Sequence, residues 1–453
     1  MSSNPWQDAG YRVERARRLL RRRRPVEALE ELRAAAEMEP HHAIHHYELG
    51  RCLGLLGRLD ESANAFARAA EVEPTEPAYA FSHGEARTAL RQWADALTAF
   101  EKASELDPTD DLALVRQLEA QAELGAHEKA EELFYRAVQL RDDRPASYYH
   151  VGRSLHARGL TSRALWCWKK VGELTVNGVD TGLATQALVR TAEAHASLGQ
   201  TDDARRIYLQ VLARDAQHFE ALLGLASLLV DARRYDAARD RITRAVRLEP
   251  DDPRGHFLAG RRYLAVGRYD EASVALRRVV ELSPSFSRGH LMLARLAIRQ
   301  DDPVAVRRHC RAEMMRRPDD VGTLEELADM LLDVADTSRA VACLKRLVAI
   351  APSDARAWQN LGVAECWHGN TMAGVIASRR ALRLDPTNLV AANNLALALL
   401  ELREIDAAAK VVADGLRVDP SHRLLRRVRL RLRFARLARG IRRCLKLEAD
   451  DSE

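Results

Sequence analysis

The stretch EMEPHHAIHHYELG, residues 37–50, contains the feature that decides the fold of this chain. Its proline follows a helix-favouring segment, and similar endings return as EVEP at 71–74 and ELDP at 105–108. A second series of prolines has the same interval of 34 residues: Pro250, Pro284, Pro318, Pro352, Pro386 and Pro420. Proline is common just after a helix because it cannot continue one. The fixed period indicates a chain built from one repeated helical unit.

This register divides the chain into twelve units. They are 9–42, 43–76, 77–110, 111–144, 145–184, 185–218, 219–252, 253–286, 287–320, 321–354, 355–388 and 389–422. The eighth and twentieth places hold a small residue in eleven of the twelve units. Glycine inside a helix costs about 1 kcal/mol relative to alanine, so the glycines at the eighth place indicate that two helices approach closely there. Five units carry a ring at the twenty-fourth place, which we expect to fill the space between neighbouring units: Phe66, Phe100, Phe134, Trp168 and Tyr208.

These features resemble the tetratricopeptide repeat (TPR) family over about nine tenths of the chain. The resemblance implies an all-α fold, a right-handed α-solenoid of antiparallel helix pairs called the TPR superhelix. We expect a tail over 1–8, repeats 1–5 over 9–184, repeats 6–12 over 185–422, a basic capping helix over 423–447 and an acidic tail over 448–453. The fifth repeat carries an insertion at about 172–182, which is interpreted either as a hinge or as a bulged loop without motion.

Positive charge is concentrated at both ends of the chain. Residues 1–24 hold eight arginines against two acids, and residues 421–453 hold ten arginines and one lysine against four. The C-terminal segment either caps the last repeat or binds an anionic partner. Phe434 is the one aromatic residue within 421–453, which disfavours base stacking on nucleic acid there. The apolar stripe through Leu424 and Val428 shifts later in the segment, which predicts a bend or two short helices.

The chain lacks the patterns that would place it in a membrane or among the common enzyme classes. It has no run of about 18 apolar residues, no apolar stretch near its start, and six scattered cysteines without a CxxC pair. The GxxxxGK[ST], HExxH, GxSxG and GxGxxG motifs of common enzymes are absent from the sequence. Only seven of the 70 basic residues are lysines, a skew typical of GC-rich genomes. We expect a bacterial cytoplasmic protein that is not an enzyme and has no cofactor.

The histidines in HHAIHHYELG have a spacing that a metal site would use. The register offers a different explanation, because His46, His256 and His290 share the fourth place of their units, where the family favours a large ring. No acidic or cysteine partner is evident from the sequence, so we interpret these histidines as structural and expect no metal site.

The resemblance also implies where a partner would bind. In this family the first helices build the inner wall of the groove, and the second, fifth, ninth, twelfth and thirteenth places face it, with the sixth nearby. In the first five units these places give Tyr47, Arg51, Phe81, Glu85, Tyr149 and Arg153. Units eight and nine supply a basic stretch with one aromatic: Arg254, Phe257, Arg261, Arg288, Arg295 and Arg299. Unit ten then supplies Glu325, Asp329 and Asp333. We expect Arg261 and Arg295 to hold acids of a partner and Asp329 to hold a base.

Asn360 and Asn394 stand at the sixth place of the last two units. Similar asparagines belong to the clamp with which some family members hold a chaperone's C-terminal carboxylate. That clamp also needs lysines and polar residues, whereas Val363 and Leu397 stand here, so this function is doubtful. The two asparagines also resemble those of O-GlcNAc transferase repeats, which grip peptide backbone, although no glycosyltransferase domain follows.

The sequence therefore predicts a protein–protein interaction adaptor or assembly scaffold that captures a partner segment in the concave TPR groove. The alternative is an electrostatic binder of nucleic acid or anionic membrane through the arginine-rich terminal helices.

Overall fold

A computed structural model describes residues 8–176, 181–286 and 288–450, with side-chain detail as far as residue 437. Its chain forms two compact regions, 1–228 and 229–453. The described residues form 25 α-helices and no strand. The helices up to residue 231 are α1 Ala9–Arg21, α2 Pro25–Met38, α3 Ala43–Leu55, α4 Leu59–Val72, α5 Pro77–Ala89, α6 Trp93–Leu106, α7 Asp111–Glu123, α8 His127–Leu140, α9 Pro145–Ala157, α10 Thr161–Leu174, α11 Thr181–Ser197, α12 Thr201–Arg214 and α13 Phe219–Asp231.

The remaining helices continue the same alternation of first and second helices. They are α14 Tyr235–Leu248, α15 Pro253–Ala265, α16 Tyr269–Leu282, α17 Gly289–Arg299, α18 Pro303–Arg316, α19 Val321–Asp333, α20 Thr337–Ile350, α21 Ala355–Trp367, α22 Thr371–Leu384, α23 Leu389–Glu401, α24 Ile405–Val418 and α25 Arg423–Asp450. None of the described helices is both long enough and apolar enough to cross a bilayer.

The helices follow the predicted register closely. Ten of the twelve first helices begin at the first residue of their unit. The exceptions are α11, which begins four residues early beside the insertion, and α17, which begins after Arg288 in a left-handed conformation with φ 65°. Apart from α13, which spans the boundary between the two regions, each first helix packs on its own second helix, and successive first helices also touch, as α7, α9 and α11 do. The predicted all-α solenoid of antiparallel helix pairs is confirmed.

A turn with left-handed backbone joins the two helices of every unit. The fifteenth place of all twelve units has a positive φ, between 54° and 90°. Six of these residues are glycines, and the other six are Arg23, Arg91, Arg233, Asp301, Ala335 and Arg403. An L-residue in this conformation costs about 1–2 kcal/mol because its Cβ crowds the following carbonyl. The register imposes this conformation even where the residue does not favour it.

Inside a unit, the backbone of the first helix lies close to a side chain of the second helix. A Cβ added at Gly84 would lie 2.5 Å from a ring carbon of Phe100, and one at Gly50 would lie 2.8 Å from Phe66. These two rings at the twenty-fourth place thus pack against the eighth place of their own unit. Phe66 also reaches Ala86 of the next unit, so the predicted filling between units is part of its packing.

Helix α25 is a single helix of 28 residues, so the alternative of two short helices is wrong, whereas a bend within the helix stays a prediction. It packs on α23 and α24 through Leu425, Val428 and Leu432, which are buried. Leu425 takes the place expected for Leu424, which is 45% exposed. The helix continues three residues past 447, the end expected for the capping segment. Its described apolar face covers the last repeat.

The insertion of the fifth repeat separates α10 from α11. Residues 177–180 of this segment lie outside the described residues. The two compact regions meet at 228/229, within α13, and not at 184/185 where repeats 5 and 6 were divided. A hinge at 172–182 stays a prediction.

The Gly84–Phe100 contact predicts that Gly84→Ala is destabilising. Its Cβ would overlap the fully buried Phe100 ring, so we expect the free energy of unfolding to fall by about 1–3 kcal/mol. Urea unfolding followed by circular dichroism measures this. The control is Gly172→Ala in α10, where a Cβ meets nothing within 4 Å and helix propensity gives a gain of up to about 1 kcal/mol. Equal effects at both positions would contradict the packing argument.

The left-handed turns predict that Ala335→Gly is stabilising. Ala335 is exposed with φ 57°. Glycine removes the strain, which outweighs its greater unfolded-state entropy by about 0.5–1 kcal/mol. The reverse change, Gly369→Ala at φ 90°, should lower the urea midpoint. A fall in the midpoint of Ala335→Gly would show that this turn carries no strain.

Candidate partner-binding site

A cleft of about 880 Å³ lies along the first helices of units seven to ten, within the C-terminal compact region. Four of the predicted site residues line it: Arg261, Arg295, Arg299 and Asp333. Leu264, Met292 and Ile298 supply apolar walls between these charges. All seven stand at the sixth, ninth, twelfth or thirteenth place of their units. We call this the charged cleft.

Two of the cleft arginines are already engaged by acids of this chain. Arg261 Nη2 lies 2.7 Å from Asp231 Oδ1. Arg295 pairs with Glu326, whose other oxygen lies 2.6 Å from Arg288 Nη2. Each of these two arginines thus already has an internal carboxylate, and their contact with a partner's acids stays a prediction. Sequence reasoning missed Asp231 and Glu326, and it selected the neighbouring Glu325 instead.

Other charges of the same wall have no ionic partner in the described part of the chain. These are Arg299 and Asp333 in the cleft, and Glu325 and Asp329 beside it on α19. Burial raises the pKa of the Asp329 carboxyl, an effect that the Arg356 guanidinium partly opposes. A carboxylate that is partly desolvated and unpaired gains from a cation that approaches it.

The remaining predicted residues of units eight and nine lie outside the cleft lining. Arg254 pairs with Asp252, the N-cap of α15, at 2.8 Å. The Phe257 ring packs against Phe286 with centroids 5.2 Å apart, and the Arg261 guanidinium lies 5.9 Å above it. Phe257 therefore supports Arg261 from behind as well as contributing to the core.

In the N-terminal compact region the predicted aromatic residues serve mainly in packing. Tyr47 lies between Phe66 and Tyr79, with ring centroids 5.6 and 5.2 Å away. Phe81 packs on Phe100 at 5.4 Å, and Tyr149 is buried. Tyr47 and Phe81 are half-buried and pack on rings of their own repeats, so their contact with a partner stays a prediction.

The predicted charges of that region are paired between successive first helices or within one helix. Glu85 Oε1 lies 2.7 Å from Arg116 Nε, and burial raises the pKa of the Glu85 carboxyl against the opposing effect of Arg116. Arg153 pairs with Glu123 in the same way. Arg51 lies 3.3 Å from Glu48 on its own helix.

The two asparagines differ in their surroundings. The Asn360 side-chain oxygen Oδ1 accepts a hydrogen bond from Gln359 Nε2 at 3.2 Å. The Asn394 side-chain nitrogen is buried and has no hydrogen-bond partner among the described residues. A buried amide without a partner costs about 1–3 kcal/mol, so Asn394 has a donor that a peptide carbonyl would satisfy.

The histidines of the fourth place mostly act as expected. His46 Nε2 lies 2.9 Å from the Pro40 carbonyl, and His256 Nε2 lies 2.9 Å from the Pro250 carbonyl. His290 differs, since its Nδ1 lies 3.1 Å from Nδ1 of His309. The statement that no acid accompanies the histidines of residues 41–46 is wrong, because Glu39 lies beside His42 and His45.

Comparison with known proteins agrees with the repeat architecture. Two tetratricopeptide repeat family models match residues 13–79, 81–146, 190–261 and 257–305, which together exceed half of the chain. Protein FlbA of Caulobacter vibrioides is 34% identical over 116 residues, which are 26% of this chain and 20% of that protein. The PEX5-related protein of Mus musculus is 31% identical over 74 residues, 16% of this chain and 13% of that protein. The matches thus span a fifth or less of these relatives' lengths.

Solved structures of low identity also align along most of the chain. Yeast Tom70 aligns with a TM-score of 0.39 and 16% identity, covering 98% of this chain and 99% of that one. The APC/C hetero-tetramer Cut9–Hcn1 has a TM-score of 0.43 and 14% identity, with 94% and 90% coverage. The repeat matches and the helix register carry the assignment: the chain belongs to the tetratricopeptide repeat family.

Proposed function

We propose that this protein is a non-enzymatic scaffold that binds a segment of a partner protein along the charged cleft. Membership of the tetratricopeptide repeat family supports the broader role in protein interaction. The observation that carries the finer proposal is the unpaired Arg299 and Asp333 in one cleft with apolar walls.

The internal ion pairs prepare this surface for binding. Asp231 and Glu326 hold Arg261 and Arg295 in place through exposed or half-exposed bridges. Such bridges contribute about 0–1 kcal/mol each to stability, so their main effect is to restrict side-chain motion. A partner then meets arginines whose conformational entropy is already reduced.

The spacing of the free charges limits the partner segment. Arg299 and Asp333 occupy the thirteenth place of successive repeats, so they project from neighbouring first helices. Packed helices lie about 8–10 Å apart, and an extended peptide rises about 3.3 Å per residue. The segment that fits carries an acidic residue for Arg299 and a basic residue about three positions away for Asp333.

This proposal predicts that two single variants, one at each free charge of the cleft, lose binding to the same peptide for opposite electrostatic reasons. Peptides selected from a displayed random library against the full chain should carry an acid and a base about three residues apart. Arg299→Glu and Asp333→Lys should each weaken the selected peptide about tenfold, equivalent to about 1.4 kcal/mol, as measured by fluorescence anisotropy. Replacing the peptide's acid by lysine should restore binding to Arg299→Glu.

The matched control is Arg277→Glu, which makes the same charge change at an exposed arginine outside the cleft lining. It should change the affinity less than about twofold. Peptides that bind all three variants equally would overturn the charged cleft as the site.

A second candidate function rests on the arginines of α25. Five of them line a shallow surface depression beside Leu430: Arg423, Arg426, Arg427, Arg429 and Arg433. None of the five has an acidic partner within the described residues. At the other end of the chain, Arg12 and Arg15 pair with Glu31, and Arg17 pairs with Glu14 and Glu48. Part of the N-terminal charge is thus neutralised within the chain, which favours the C-terminal helix for this alternative.

This alternative predicts binding to duplex DNA or to phosphatidylserine vesicles that falls steeply with salt. For DNA, the slope of log affinity against log salt should be about −0.9 per phosphate contact, measured by anisotropy between about 50 and 200 mM salt. Arg426→Ala/Arg427→Ala/Arg429→Ala should remove most of the binding. The control Arg21→Ala/Arg22→Ala/Arg23→Ala loses the same amount of positive charge and should retain the binding. Equal losses in both triple variants, or no binding to either ligand, would reject the α25 surface as a specific site.

A further inference from the structure

Three potential metal ligands come together at the turn between the first two repeats. They are Glu39 after α2, His42 before α3 and His45 in the first turn of α3. The Glu39 carboxylate oxygen Oε2 lies 3.8 Å from His42 Nε2 and 3.8 Å from His45 Nδ1. One ligand atom from each residue lies within 4.8 Å of the other two.

His45 provides an independent sign that this place accommodates a ligand. The residue is 4% exposed, and its Nδ1 is buried without a hydrogen-bond partner among the described residues. A buried polar atom without a partner is uncommon, because it has lost water and gained nothing in return. This same nitrogen faces the Glu39 carboxylate at the centre of the cluster.

The backbone holds the three residues at this spacing. The His42 amide donates to the Glu39 carbonyl at 3.2 Å, and the His45 amide donates to the His42 carbonyl at 3.1 Å. His46 points elsewhere, since its ring nitrogen contacts the Pro40 carbonyl. The rings of His42 and His45 lie face to face, with centroids 5.2 Å apart and planes 25° apart.

We propose that Glu39, His42 and His45 bind a divalent transition-metal ion of the zinc type. Imidazole nitrogen and carboxylate oxygen are the ligands such ions prefer, at about 2.0–2.2 Å. Tetrahedral coordination at those lengths places ligand atoms about 3.3–3.6 Å apart, which is less than the two separations of 3.8 Å seen here. The side chains of Glu39 and His42 are 45% and 66% exposed, so they can turn inward without backbone movement. The fourth position is open to water.

Metal binding at this place joins two repeats. Glu39 belongs to the end of the first repeat, and His45 belongs to the first helix of the second. An ion that binds the folded form alone raises its stability in proportion to the logarithm of the ion concentration. The site therefore acts as a clamp between the first two repeats and is separate from the proposed charged cleft.

The test is calorimetric titration of Zn²⁺ into the full chain, free of any histidine tag and stripped with chelator. We expect one site whose affinity falls about tenfold or more in His42→Ala and in Glu39→Gln. Zn²⁺ should also raise the melting temperature of the wild type and leave that of His42→Ala unchanged. Co²⁺ in place of Zn²⁺ should give the intense visible absorption of a tetrahedral site.

The matched control is His41→Ala, which removes the neighbouring exposed histidine and should leave Zn²⁺ affinity within about twofold. His42 and Glu39 are chosen because both are exposed, so their variants should keep the fold, as circular dichroism would verify. Zn²⁺ binding that is absent, or equal in wild type and His42→Ala, would overturn the proposal. A loss in His41→Ala as large as in His42→Ala would show binding by the exposed histidines and would overturn it as well.

Discussion

The close contact between the eighth place of a first helix and the twenty-fourth place of its second helix is the constraint on which each repeat depends. At Gly84 and Gly152 a large ring lies where a Cβ would otherwise stand. At Gly362 the partner is the small Ser378, and the backbone of Gly374 also comes close. The same two places therefore accommodate either a ring or a second backbone. At Gly362 the approach of the Gly374 backbone fills volume that a ring fills at Gly84, as close packing requires.

The stacking of these pairs brings first helices side by side, and ion pairs then form across successive repeats. Their partners are 30 or 31 residues apart in the sequence: Arg17 with Glu48, Glu85 with Arg116, Glu123 with Arg153, Asp231 with Arg261, and Arg295 with Glu326. These bridges use much of the charge on the first helices. Among the charges that they leave unpaired within the described residues, Arg299 and Asp333 lie in the charged cleft, where we propose that a partner binds.

Much of the fold was predictable because a helical repeat is defined by residue types at fixed places that are close together in the sequence. The positions of prolines and small residues located ten of twelve first helices to the residue. The cleft was partly predictable, since the family register selected Arg261, Arg295, Arg299 and Asp333 together. The register could not tell that Arg261 was already paired, because the partner Asp231 lies on the preceding repeat. A search for opposite charges about one repeat apart would have found it.

The proposed metal site shows the same limit at shorter range. Glu39 precedes the histidines by only three and six residues, yet it belongs to the end of a different helix. Helical spacing within α3 does not reveal that Glu39 lies beside the histidines, since the turn after α2 sets the direction of the Glu39 side chain. Burial of His45 was equally hidden, because it depends on how α3 packs in the stack and not on its own neighbours in sequence.

The sequence by itself determined the repeat length, the all-α class and the first residue of most first helices. These follow from local chemistry: helix propensity, turn residues and the size of side chains at fixed places. Only the tertiary structure decided which charges neutralise each other, which remain free, and where Glu39 meets His42 and His45. The physical reason is that electrostatic and ligand contacts depend on distances of a few ångströms between side chains. Those distances are set when successive helices stack.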